Sequence, residues 1–122
     1  MLLRDLGKKW RKEAMKRDQA TKRDNLFIKE LRENHRGSEN ALSSQQASKY
    51  LGEHGFPLKA SHIGTLVNKL ALERCLPICY INGKGYFWAT SKCEIQATVA
   101  DLQGRINALQ EHIDHLNSFI IE

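Results

Sequence analysis

The chain shows few of the sequence signs of an enzyme, a membrane protein or a metalloprotein. No apolar run approaches the roughly 20 residues that span a bilayer, and the opening MLLRDLGKKW turns charged too early for a secretory signal. The expected place of action is therefore a cytoplasm. Cys75, Cys79 and Cys93 are odd in number and include no CxxC pair, so reduced, partly buried thiols are expected instead of a disulfide framework or a zinc site. His112 and His115 stand i, i+3 on one segment and could share a metal, but solvated surface histidines are the simpler account. No metal and no cofactor is expected. There is no Ser/His/Asp or Cys/His arrangement at a recognisable spacing, no carboxylate cluster and no glycine loop that cradles phosphate. Gly83-Lys84-Gly85 reads as a turn, and the chain is expected not to be an enzyme.

What is present is a soluble globular composition, 41% apolar and 27% charged over 122 residues. That suits one compact domain with an extension. The net charge of +5 is unevenly placed. Residues 1–24 carry nine Lys/Arg against four acids, and the remaining residues carry ten of each sign. The whole excess lies in the first segment, which favours a polyanionic partner. Residues 2–22 are helix formers without proline. Leu3, Leu6 and Trp10 make a short apolar stripe there, and beyond Met15 the surface is polar all round; the segment is either a solvated helix that packs this end somewhere or a basic arm that lies on phosphates. The segment 1–24 is thus read as a basic helical arm.

A body is expected over 25–90. A separate helix is predicted over 25–35, facing inward with Phe27, Ile28 and Leu31 and capped by Gly37. Ser43 and Gln46 form a capping box that opens a short helix burying Ala47, Tyr50 and Leu51. Gly52, Gly55 and Phe56-Pro57 end it. A third helix starts at Lys59 or Ser61 and runs to about Arg74, with Ile63, Leu66, Val67 and Leu70 as its apolar face. Two runs, PICYI and GYFWA, then flank Asn82-Gly83-Lys84-Gly85 as a β-hairpin. A lone hairpin is marginal in water, so Ile78, Tyr80 or Ile81, Tyr86 and Trp88 are expected to pack on the helices. Three helices followed by a hairpin is the winged helix-turn-helix order, and the fold class is mainly α with one hairpin.

Residues 91–122 carry the most regular pattern. Ser91 and Glu94 suggest a second capping box. Ile95, Val99, Leu102, Ile106, Leu109, Ile113, Leu116 and Ile120 then follow in unbroken 4,3 spacing. β-branched residues hold the a positions and leucine most of the d positions, the preference of a parallel two-stranded coiled coil. About 30 helical residues would extend ~45 Å, more than the body can cover. These eight residues are therefore assigned to homodimerisation, with packing back onto the chain's own helices as the other possibility. Gly104, at an f position, weakens such a helix by only ~1 kcal/mol.

Several runs go beyond architecture: His35–Ser44 (HRGSENALSS), Val67-Asn68-Lys69-Leu70, Pro77-Ile78-Cys79, Gly85–Ala89 (GYFWA), Glu94–Thr98 (EIQAT) and Leu102–Ile106 (LQGRI). Over about residues 25–110 the chain resembles small winged helix-turn-helix proteins encoded by phages and prophages of Gram-positive bacteria. The basic segment 1–24 lies outside the resemblance. The resemblance implies a bacterial host and a DNA-binding role, as a regulator or a replication accessory. A winged helix usually lays its third helix in the major groove and its wing on the backbone. The candidate contacts are then Lys59, Ser61, His62, Thr65, Asn68 and Lys69 on the third helix, Asn82 and Lys84 on the wing, and Lys8, Lys9, Arg11, Lys12, Lys16 and Arg17 on the arm, reading DNA or RNA. Only three lysines serve the body's face, so dimerisation and the arm would supply much of the affinity. If the arm neutralises about five phosphates, affinity falls with salt at a log–log slope near −4 to −5. The rival role is a phage-encoded inhibitor of a host CRISPR nuclease, of the anti-CRISPR kind, seated on the protein or its guide RNA. A coiled-coil adaptor in a phage machine is a third.

Overall fold

The computed structural model describes residues 3–120, and side chains from Trp10 onward. It is mainly helical, with one antiparallel hairpin. The order is α1 (Leu3–Asn34), a 3-10 turn (Ser38–Asn40), α2 (Ser44–Glu53), α3 (Ala60–Arg74), β1 (Ile78–Ile81), β2 (Gly85–Trp88) and α4 (Lys92–Asn117). None of these helices is long and apolar enough to cross a membrane.

The expected break near residue 24 does not occur, and arm and first body helix are one element. No proline or glycine falls between Lys8 and Asn34, so nothing interrupts the hydrogen-bond ladder. Asp24, buried within the helix, is held by the Arg23 guanidinium at 3.0–3.1 Å. The C-terminal half of α1 supplies Phe27, Ile28 and Leu31 to a core that α2 completes with Ala47 and Leu51, and α3 with Ile63, Leu66, Val67 and Leu70. Phe27, Leu31, Leu51, Ile63 and Leu70 are all below 2% exposed, worth about 1.5–3 kcal/mol each relative to solvent. The Ser43/Gln46 capping box opens α2 as expected. Lys59 is the N-cap of α3, and Cys75 closes that helix in the left-handed conformation at φ 54°, a place where glycine is more usual.

The hairpin is covered on both faces and along its outer edge. Cys79 pairs across the strands with Phe87, and these two, 5% and 1% exposed, lie toward the first turns of α4, which packs on β1. Ile78, Tyr86 and Trp88 pack on the helical core. Period-2 alternation pointed to only one buried face; α4 creates the second, and its occupants Cys79 and Phe87 are more buried than the hairpin side chains on the helical face. Along the far edge of β2 the chain from His35 to Leu42 is laced in place. Trp88 N–H donates to His35 O (2.7 Å), Gly37 N–H to Trp88 O (2.9 Å), and Leu42 and Tyr86 exchange bonds of 2.7 and 2.8 Å. The edge that would otherwise expose free backbone groups is thus paired.

The loop that does this is built from His35, Gly37 and Asn40. The His35 ring sits 2.8 Å from the Asn40 carbonyl and 3.1 Å from the Glu30 carboxylate. The Asn40 amide donates to Arg36 O at 2.9 Å. Gly37 does not cap α1; at φ 80°, ψ 157° it turns the chain onto β2. Gly85, at φ 122°, lies so close to this loop that a Cβ there would run into the Leu42 carbonyl and stand 2.8 Å from Ser43 Cα.

Glu94 ties the root of α4 to the same loop. Ser91 Oγ accepts from Glu94 N–H at 3.3 Å, but the reciprocal half of the expected box is displaced. The Glu94 carboxylate accepts instead from Thr90 N–H (2.8 Å), Thr90 Oγ1 (2.9 Å) and Ser38 N–H (2.7 Å). These bonds, led by the Thr90 amide and then the Ser38 amide, hold its carboxyl below the usual glutamate range. A depressed carboxyl stabilises above its unfolded pKa and loses that contribution as pH falls through the folded one. Hydrogen-exchange protection of the Ser38 and Thr90 amides should therefore fall as pH drops below the ordinary glutamate range. In Glu94→Gln it should already be low at neutral pH; unchanged protection in the variant would show that the carboxylate does not secure α4.

Candidate nucleic-acid interface

α3 is buried on one face only. Lys59 at its N-cap and Ser61, His62, Thr65, Asn68 and Lys69 along it are all exposed, because the Ile63/Leu66/Val67/Leu70 stripe turns them outward. Ser61, Thr65 and Asn68 line one side of a groove of about 440 Å³, together with Gly64. The hairpin's Tyr80 and Tyr86 line it too, and Leu102 and Arg105 of α4 lie across from α3. A Cβ at Gly64 would come within 2.9 Å of the Tyr86 hydroxyl, so the missing side chain lets the hairpin approach α3.

Tyr80 and Tyr86 are cross-strand partners with ring centroids 4.9 Å apart. The Arg105 guanidinium stands 5.7 Å over the Tyr80 ring, a cation–π distance, and pairs with Asp101 at 2.9 Å. The sequence pattern gives α4 to dimerisation or to packing on the chain's own helices, and gives these three residues no role at this face. The LQGRI run held Arg105 in view, but only the strand register shows that Tyr80 lies beneath it.

The tip, Asn82-Gly83-Lys84, is exposed and closed by Lys84 N–H donating to Ile81 O at 3.0 Å. The two tip candidates differ in setting. Asn82 borders a second cavity, of about 480 Å³, between the hairpin and the start of α4; Lys84 is not among its walls. The structure thus brings Ser61, Thr65 and Asn68 to the hairpin's tyrosines, while Asn82 turns toward α4.

The arm candidates Arg11, Lys12, Lys16 and Arg17 are exposed, and among the described residues none of the four pairs with a carboxylate. The nearby Lys22 does, with Asp18 at 3.2 Å. The side chains of Lys8 and Lys9, and of Leu3 and Leu6 in the expected apolar stripe, lie outside the described residues. Trp10, the third member of that stripe, is 66% exposed in the single chain. Met15, Lys16 and Gln19 line a cavity with Gly55, Phe56 and Pro57, and Ala20 is the first half-buried side chain of α1 among the described residues.

The seam of α4 is bare. Ile95, Val99, Leu102, Ile106, Leu109, Ile113 and Leu116 are 43–61% exposed, so the seam does not fold back on the chain's own helices. Ile120 lies past the last helical residue, Asn117, and the final a position drops out of the repeat. There Ser118 caps the helix and the Phe119 ring meets His115 edge-on at 5.1 Å. Among the described residues no three His, Cys, Asp or Glu side chains gather as metal ligands. Compared with models of protein families, with curated proteins and with solved structures, the chain matches none.

Proposed function

We propose that the chain is a winged-helix nucleic-acid-binding protein of the phage type, dimeric through α4, with the exposed side of α3, Lys84 of the wing and the basic arm on the nucleic acid. The observation that carries this is the one-sided burial of α3. Its polar row, Ser61, Thr65 and Asn68, faces solvent beside the hairpin and is bordered, not covered, by α4. Leu42 adds a further support. Its paired bonds with Tyr86 fasten the segment between α1 and α2 to the hairpin, so that helices and hairpin form one body. Phosphate contacts fall to the arm, whose four exposed cations are free to displace counterions; bases fall to α3.

The test is titration of the full chain with labelled duplex across a range of salt. Replacing Arg11, Lys12, Lys16 and Arg17 together by glutamine is expected to flatten the log–log salt slope by about 3–4, at ~0.9 for each phosphate no longer neutralised. Asn68→Ala is expected to leave the slope alone and weaken preferred sequences only. Absence of binding at about 50 mM salt, where non-specific contacts are strongest, would overturn the proposal.

One feature favours a second role, inhibition of a host CRISPR nuclease. Outside residues 1–24 the charges cancel, so the body has little general pull on a polyanion and suits a protein surface, with the arm on guide RNA. Co-elution with such a nuclease, without a shift of duplex DNA, would select this role over the first.

A further inference from the structure

We propose that two copies of the chain pair through α4 in parallel, so that both helical bodies stand at the same end of the coiled coil. This rests on the pairing named above and adds its direction. The occupant of the seam is a second copy because the surface is self-complementary. It runs in unbroken 4,3 spacing from Ile95 to Leu116 with no polar member, and three heptads is the length at which such a pattern becomes a coiled coil.

Direction follows from the residues that flank the seam. The a positions inside the helix, Val99, Ile106 and Ile113, are all β-branched. The d positions from Leu102 on are leucine. This arrangement favours two parallel strands. The e positions, Gln96, Gln103, Gln110 and Asn117, are uncharged amides, and the g positions, Thr98, Arg105, His112 and Phe119, carry the one formal charge of Arg105. A parallel pair sets each g against the e of the next heptad of the other copy, so Arg105 meets Gln110 and His112 meets Asn117.

The hairpin leaves room for this pairing. It takes the flank of α4 that carries Glu94, Asp101 and Arg105, with Leu102 of the seam at the edge of the α3 groove, and the a residues Val99, Ile106 and Ile113 stay 50–58% exposed. From Ile106 onward every described side chain of α4 is exposed, so the distal half projects beyond the body. The bodies gather at the root.

Direction is read by cross-linking the full chain with Leu116→Cys. Cys75 and Cys93, both exposed, are replaced by serine, and buried Cys79 is kept. Leu116 is 55% exposed, so the change does not touch the core. In a parallel pair the two new thiols are neighbours within disulfide reach. In an antiparallel pair each lies near the other copy's first heptad, ~30 Å from its counterpart at 1.5 Å per residue. Mild oxidation is expected to give near-complete covalent dimer, and sedimentation of the uncross-linked chain a mass of two copies. A dimer mass without cross-link overturns the direction; a monomer, trimer or tetramer mass overturns the pairing beneath it. No nucleic acid enters either readout, so a failure to bind duplex is separately visible.

Discussion

Gly85→Ala is expected to destabilise the fold by at least about 3 kcal/mol, through backbone strain and overpacking together. Two costs coincide at this residue. Its φ of 122° is one that side chains rarely adopt, and the added methyl would collide with Leu42 and Ser43 backbone instead of a side chain that could swing aside. Relief requires either that β2 leave the His35–Leu42 loop or that the loop leave β2. Either route breaks the paired bonds between Leu42 and Tyr86 and loosens Tyr86 and Trp88 from the core. Denaturant unfolding followed by tryptophan fluorescence would measure the loss. Gly83→Ala is the control: its φ is also positive, at 86°, but a Cβ there meets nothing within 4 Å, so strain acts alone and a loss of only about 1 kcal/mol is expected. Equal losses in the two variants would show that close packing against the loop is not what Gly85 provides.

Leu109→Glu is expected to weaken self-association by at least ~10³, which corresponds to about 4 kcal/mol. Leu109 is a mid-seam d residue, 61% exposed in the single chain, so the substitution costs the isolated body little. In a pair it would put two carboxylates face to face in an apolar seam, and each would lose its water without gaining a counter-charge. Sedimentation over a concentration series reads the shift. Asn107→Glu, an exposed b position, should leave it unmoved. If Leu109→Glu sediments as the unaltered chain does, the seam is not the interface.

Much of the architecture is legible in the sequence because it depends on short-range chemistry. The Ser43/Gln46 cap, the apolar face of α3, the hairpin turn and the α4 repeat all declare themselves through spacing and local hydrogen-bond needs. What escapes is whatever depends on a second element. The charge boundary near residue 24 looks like a structural break, yet charge does not interrupt a helix, and α1 runs through it. Cys79 and Phe87 are buried because α4 lies over them, which strand alternation alone does not reveal. Glu94 binds Ser38, 56 residues earlier, so its pattern as an N3 capping residue points to the wrong partner. At the candidate interface, the exposed row of α3 follows from helical period. The Tyr80–Tyr86–Arg105 arrangement requires the strand register and the path of α4 together. His35, Gly37 and Asn40, prominent in the resemblance, prove to be occupied in shaping one loop, so they carry no case for contact with a ligand.

The unbroken run of α1 makes its basic end a boom with no hinge. Trp10 to Ala14 reaches about 7 Å, at 1.5 Å per residue, beyond the cavity that Met15, Lys16 and Gln19 line with Gly55, Phe56 and Pro57, and its bearing is set by Phe27 and Leu31, locked in the core further along the same rod. A flexible tail would follow a curved surface at the expense of becoming ordered on it. This one is ordered beforehand, and would meet a bound polyanion along a single straight line.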